Sequence, residues 1–134
     1  MVIDTSAVIA ILTEEPAAQS CIRAMDEAQS LQISTASVLE VRIVLESRFG
    51  SSATITFDRW LANTPIEIVP LTERHVELAT EGFRRFGKGR HRAALNFGDC
   101  FSYGLARFLG EPLLFIGNDF SQTDLRSAFG DPVQ

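Results

Sequence analysis

The sequence is poor in several features around which a small protein can be built. It has two cysteines, Cys21 and Cys100, and no CxxC or HxxxH spacing beside them. That leaves no basis for a disulfide framework or a zinc site. Both sit in apolar helical patterns and read as small buried hydrophobes. No apolar run approaches the ~18–20 residues of a membrane helix. The opening Met1-Val2-Ile3-Asp4 has no basic segment and carries an acid at the fourth position. It is unlike a signal peptide, so the expected location is cytoplasmic, with no membrane partner. Lysine is nearly absent: Lys88 stands alone beside eleven arginines. Cations are also outnumbered, 12 against 17 acids, for a formal net charge of -5. Taken as a total, that charge argues against a polyanionic partner, which usually calls for an excess of Lys and Arg.

What is present suits one globular domain, 1–134, with 46% hydrophobic and 22% charged residues. Val2 to Asp4 reads as a short buried strand, and Asp4-Thr5-Ser6 supplies cap chemistry for a helix from Ala7 to Leu12. A second helix follows, with Pro16 in its first turn, running to about Gln29. Leu31 to Ser34 is a strand, Ala36 to Arg48 a long helix closed by Gly50, and Ala53 to Ala62 another helix. Ile66 to Val69 alternates apolar and acidic and is ended by Pro70, as a half-exposed strand would be. In the amphipathic helix Thr72 to Phe86, the spacing puts Val76, Ala79, Phe83 and Phe86 on the buried side and Glu73, Glu77 and Glu81 on the solvent side. A helix from about Gly98 to Leu109, a strand from Leu113 to Ile116 and a last short element at Leu125 to Ala128 complete the chain. Short strands alternating with helices predict an α/β fold with a mostly parallel central sheet of four to five short strands.

Four acids break the hydrophobic pattern. Asp4 ends the first strand, and functional groups of parallel α/β sheets collect at such ends. Glu40 interrupts the apolar start of a helix, where an acid is costly to bury without a partner. Asp99 opens a helix, and Asp119 follows a strand across Gly117-Asn118. Each has an ordinary explanation alone, as a cap, a turn residue or a surface charge. Together, two follow strands on one edge and two lie near helix starts that reach that edge. Four converging carboxylates repel, and a divalent cation relieves the repulsion. An all-oxygen donor set without His or Cys suits Mg²⁺, with Mn²⁺ as a substitute. Such an ion binds phosphate oxygens and activates water, the chemistry of phosphodiester hydrolysis.

These residues also carry a family resemblance. The opening Val2-Ile3-Asp4-Thr5-Ser6-Ala7-Val8, the mid-chain Ser37-Val38-Leu39-Glu40, the segment from Asn96 to Ala106 around Gly98-Asp99, and Gly117-Asn118-Asp119-Phe120 together resemble a PIN domain. More narrowly, the chain resembles VapC-type toxins of bacterial type II toxin–antitoxin pairs, over essentially its whole length. The resemblance implies helices on both faces of the sheet and a Mg²⁺-dependent endoribonuclease acting on structured RNA, transfer or ribosomal. It matches Asp4, Glu40, Asp99 and Asp119 to the family's acidic cluster, with Asp4 and Asp99 as main metal ligands. It matches Thr5 and Ser6 to the small hydroxyl residues after the first acid, and Asp124 is expected as an outer acid. It also implies a cognate VapB-type antitoxin lying across the active groove, a basic antitoxin side chain being able to enter the acidic pocket. Operator DNA would be met only through the antitoxin.

Other chemistries fit less well. His75 and His91 lie beside none of the four acids, which disfavours a histidine-based ribonuclease. A dehalogenase-type phosphatase needs a second Asp where Ser6 stands, and a receiver-like domain needs an acid pair and a strand-end Lys that are missing. The alternative that remains is a PIN-type nucleic-acid-binding partner in an antitoxin–DNA complex with little nuclease turnover. Apolar residues over a wide arc of one helix (Val38, Leu39, Val41, Ile43, Val44, Leu45) point to a homodimer. Finally, Arg84, Arg85, Lys88, Arg90, His91 and Arg92 form an acid-free run whose glycines would let it move, read as an RNA-binding phosphate clamp. That run holds five formal positive charges, so the acidic total conceals a basic segment.

Overall fold

The computed structural model describes residues 1–130, and the segment 131–134 lies outside the description. Strand β1 (Val2–Ile3) is the centre of the architecture. It pairs in parallel with β2 (Leu31–Ser34) on one side and β4 (Leu113–Leu114) on the other, and β2 pairs in parallel with β3 (Ile66–Val69). The four strands run in the order β3-β2-β1-β4, all parallel.

The helices in chain order are α1 (Thr5–Leu12), α2 (Ala18–Glu27), α3 (Thr35–Phe49), α4 (Ser51–Ala62), α5 (Glu73–Phe86) and α6 (Phe97–Leu109). Alternation along the strands divides the core into two layers. Ile3, Ile33 and Leu114 join Val8, Val41 and Phe57 in one. Val2 and Leu113 join Tyr103, Leu105 and Phe86 in the other. Helices therefore cover both faces. Burying a side chain such as Phe57 or Leu105 from water stabilises the fold by about 1.5–3 kcal/mol. Among the described residues, no helix is long and apolar enough to cross a membrane. Cys21 and Cys100 are buried free thiols.

Several element boundaries differ from those expected, for local reasons. Helix α1 begins at Thr5 rather than Ala7, because Asp4 itself is the cap and accepts from the Ser6 N–H. Helix α2 starts at Ala18 and stops at Glu27, leaving Pro16 in the preceding turn. Strand β4 is limited to two residues, and the last expected element is a single bridge from Ser127 to Leu113.

The larger difference is the phase of α5. Its buried residues are His75, Leu78, Ala79, Gly82 and Phe86. Val76 and Phe83, expected inside, are 49% and 36% exposed. The seam with α6 explains this. A Cβ at Gly82 would fall 2.4 Å from the Tyr103 ring, and a Cβ at Gly104 would fall 2.7 Å from the His75 carbonyl. Two glycines thus set the face of closest approach, and the largest apolar side chains are left at its margin.

Helix α3 shows the wide apolar arc expected of it. Val41 and Leu45 are buried, while Leu39 and Ile43 remain 59% and 55% exposed.

The α5–α6 seam gives a test with a definite sign. Substituting Ala for Gly on an open helix face stabilises by up to about 1 kcal/mol through helix propensity. Gly104→Ala should instead destabilise by about 1–3 kcal/mol through overpacking, lowering the denaturant midpoint. A midpoint that rises would show the two helices to be loosely apposed.

Candidate active site

The carboxyl end of β1 delivers Asp4 directly into the N-terminus of α1. Its side chain is nine-tenths or more buried, and a buried carboxylate needs hydrogen-bond donors. Three hold it. The Ser6 N–H and Ser6 Oγ donate to Oδ2 at 3.0 and 2.7 Å, and Ser102 Oγ donates to Oδ1 at 2.5 Å. Ser6 Oγ in turn accepts from the Ile116 N–H at 3.0 Å, which ties the loop after β4 to the same point. Ser37 Oγ lies 3.5 Å from Ser102 Oγ. Asp4 therefore joins β1, α1, α6 and the β4 loop.

Asp99 is placed by a capping box at the start of α6. Asn96 Oδ1 accepts from the Asp99 N–H at 2.9 Å, and Asp99 Oδ2 accepts from the Asn96 N–H at 3.0 Å. Its carboxyl is nevertheless pushed up to about 7. Loss of hydration is the first cause, and the like charges of Asp4, Asp119 and Glu40 add to it against the opposing Asn96 hydrogen bond.

Glu40 reaches the same place from α3. Its carboxylate lies so close to the Gly98 backbone that a Cβ there would sit 1.7 Å from Oε2, so a larger residue at 98 would displace the Glu40 carboxylate. Burial raises its pKa first and the Asp4 charge raises it further, while the nearby Thr5 hydroxyl lowers it. Thr5 Oγ1 is itself buried and has no hydrogen-bond partner of ordinary geometry.

Asp4, Glu40 and Asp99, with Thr5, Ser6 and Asn96, line one open cleft of about 300 Å³. A larger hollow of about 600 Å³ lies around Met1 and Glu111, away from these acids. Asp119 is exposed just before a 3₁₀ turn, Phe120–Gln122. It does not line the cleft, yet its charge is felt at Asp99.

The residues present fit a hard divalent cation. The donor set is all oxygen, two of the carboxyls are raised partly by like charge, and an orphaned hydroxyl sits among them. Among the described residues, no three acidic, His or Cys side chains are arranged to grip one ion together.

Other expected residues fall elsewhere. Asp124 is not beside the acids: it accepts from Tyr103 Oη at 2.9 Å, Arg107 at 2.6 Å and Arg85 at 3.1 Å. It joins the 3₁₀ region to α5 and α6, so the expected outer-acid role is corrected to a structural one. The basic run is also displaced and is not a loose loop. Gly87 bridges to Leu95, the Lys88 N–H donates to the Leu95 carbonyl, and Gly89 takes φ +82°. None of Arg84, Arg85, Lys88, Arg90, His91 and Arg92 lines the cleft. Arg85 is paired with Asp124, Arg90 lies over the Phe83 ring, and His91 Nδ1 accepts from the Ala93 N–H.

Three contributors escaped the sequence. Ser37 and Ser102 are buried hydroxyls, each one helical turn from an acid, Ser37 before Glu40 and Ser102 after Asp99. Arg48, from the last turn of α3, is the one cation lining the cleft among the described residues.

A small α/β domain whose strand-end Asp4 meets the helix-borne Glu40 and Asp99 over a shared cleft defines a recognisable class, and comparison with known proteins agrees. The PIN domain family model matches residues 1–125. The chain is 49% identical over 125 residues to ribonuclease VapC of Mycolicibacterium smegmatis, across 93% of this chain and 97% of that one. In structure it resembles VapC20 of Mycobacterium tuberculosis, a sarcin–ricin loop cleaving toxin, with a TM-score of 0.75 at 20% identity over 92% of this chain and 95% of that one. It also resembles VapBC2 from Rickettsia felis, bound to a DNA fragment from its promoter, with a TM-score of 0.70 at 11% identity over 89% and 88%. The chain belongs to the PIN domain family, and its relatives there are VapC ribonucleases.

The Asp99 carboxyl gives a pH test on the metal-free protein. Its folded value of about 7 lies above the unfolded value of 3.8, so the folded state holds the proton longer. Its contribution to stability is complete below about pH 4 and is lost as pH rises through 7. Asp99→Asn keeps a cap acceptor and removes that loss. The variant should gain on the wild type between pH 4 and 7, reaching on the order of 1–3 kcal/mol after solvent screening. Denaturant unfolding across pH measures it, and parallel curves would contradict it.

Proposed function

We propose that this protein is a Mg²⁺-dependent endoribonuclease toxin that cleaves structured RNA, transfer or ribosomal, and is neutralised by a cognate VapB-type antitoxin. The observation that carries the proposal is the meeting of Asp4, Glu40 and Asp99 in one cleft, with Asp99 held near neutrality by burial and like charge. The ribonuclease relatives support the activity, and the likeness of fold to VapBC2 supports a toxin–antitoxin pair.

Asp4 and Asp99 would hold the ion, with Mn²⁺ as a substitute, and Glu40 and Asp119 would complete the charge around it. When bound, a divalent cation neutralises charge on a phosphodiester and makes water a better nucleophile. The remaining work belongs to the chain. Ser6 and Ser102 fix both Asp4 oxygens, so the ligand is in place before substrate arrives. The buried Thr5 hydroxyl lies beside the Glu40 carboxyl, lowers its pKa and would steady that group. Glu40 lines the cleft, its pKa raised by burial and by the Asp4 charge, and would be the group that takes a proton from the attacking water.

The exposed Leu39, Ile43 and Phe97 supply an apolar surface for the expected homodimer, and the chain would work in the cytoplasm. Operator DNA would be reached through the antitoxin.

Cleavage of a structured RNA by the purified protein should stop on thorough chelation and return with Mg²⁺. Asp4→Asn should lower the rate by at least about 100-fold, as loss of metal-site groups does, with far-ultraviolet dichroism unchanged. Cleavage that survives chelation would contradict the proposal.

A further inference from the structure

Among the described residues, the cation in the cleft lining does not come from the basic run: it is Arg48, opposite in sign to Asp4, Glu40 and Asp99. Its position follows from helix periodicity. Glu40, Val44 and Arg48 are spaced at i, i+4 and i+8 on α3, and all three line the cleft. One wall therefore runs from an acid through an apolar residue to a cation, about 12 Å along the helix axis.

Arg48 is exposed, and among the described residues it makes no ion pair or hydrogen bond. The acids near it in sequence or in the cleft are engaged otherwise. Glu46 accepts from Ser51 and Thr54, and Glu15 accepts from Thr13. The cations of the basic run line no part of this cleft, and Arg85 among them is paired with Asp124.

We infer that Arg48 grips a phosphate of the RNA neighbouring the one that is cut, and so sets the register of the strand along the α3 wall. The inference rests on the ribonuclease proposal and adds to it the residue that receives the chain on the side away from the acids. The chemistry is direct. The acids take the scissile phosphate only with a cation between them, since like charges repel. A guanidinium takes a phosphate without any mediator, and takes two of its oxygens at once. The two backbone positions are about 12 Å apart along the helix axis, which sets Arg48 further along the strand than the group held at Glu40. A purely structural role exists as a competitor, because Arg48 lies in the last turn of α3, where the helix dipole favours a cation. The test therefore reads a quantity that a helix-end role does not move.

The parent protein is Asp99→Asn, which keeps the cap acceptor for the Asn96 N–H and does not consume the probe. Its binding to bulk transfer RNA is measured by filter retention between 50 and 200 mM salt, without divalent metal. Adding Arg48→Ala should weaken binding severalfold at the lower salt. It should also flatten the plot of log affinity against log salt by about 0.7–0.9, the contribution of one phosphate contact. Arg48→Lys should keep the slope while recovering only part of the affinity. An affinity and slope equal to the parent's overturn the inference, whatever happens to stability. Unchanged RNA binding with weakened binding of the cognate antitoxin also overturns it, by assigning Arg48 to a protein partner. Failure of the wild type to cleave RNA refutes the ribonuclease proposal separately, because the binding comparison uses no turnover.

Discussion

The structure depends on how it holds one carboxylate. Asp4 stands at the end of the central strand, almost wholly buried, where an unpaired charge would be costly. Its two oxygens are taken by Ser6, from the helix it caps, and by Ser102, from the helix that Asp99 opens. Ser6 then reaches the Ile116 amide beyond the far strand. A single acid thus locks together the elements that bear the others, and its position is fixed by packing rather than by any ligand. Those hydrogen bonds stabilise the Asp4 charge while the neighbours bear the electrostatic strain. Glu40 and Asp99 are raised, first by lost hydration and then by the company they keep.

Glycine permits this crowding. Gly98 lets the Glu40 carboxylate rest against the start of α6, and Gly104, less than two turns later, lets α6 settle on α5. Both sit on one helix, so the helix that presents Asp99 has one bare patch for an acid and another for its packing partner. The second contact also decides which side of α5 faces inward, and it leaves Val76 and Phe83 beside the exposed Phe97. Site geometry and surface apolarity are two results of the same small residues.

The sequence was most informative where a residue offended its own pattern. Asp4, Glu40 and Asp99 interrupt apolar segments, and the three do line one cleft. The parallel sheet and its helices were legible for the same reason, since short apolar runs alternate with helical periodicity. The α5 face was misjudged because side-chain size was weighed where Gly82 and Gly104 decide the approach. Asp124 looked like one more acid, since nothing in its neighbours in sequence reveals Arg85 and Arg107 across the fold. The basic run adjoins Asp99 in sequence, but the Gly87–Leu95 bridge closes it into a separate feature. Ser37, Ser102 and Arg48 were invisible for a different reason: polar side chains in helices normally face water, and only the packing shows that the two serines turn inward behind Asp4 while Arg48 lines the cleft.

The central claim is that folding gathers repelling carboxylates into a site that a hard cation relieves. Calorimetric titration of the metal-free protein with Mn²⁺ at pH 7, in buffers of different ionisation enthalpy, addresses it most directly. With the Asp99 carboxyl near 7, binding should expel about half a proton per protein, and less as pH is raised above 8. Asp99→Asn should bind more weakly and release almost none. Absence of binding, or binding of equal strength in both proteins with no proton release, would contradict the claim.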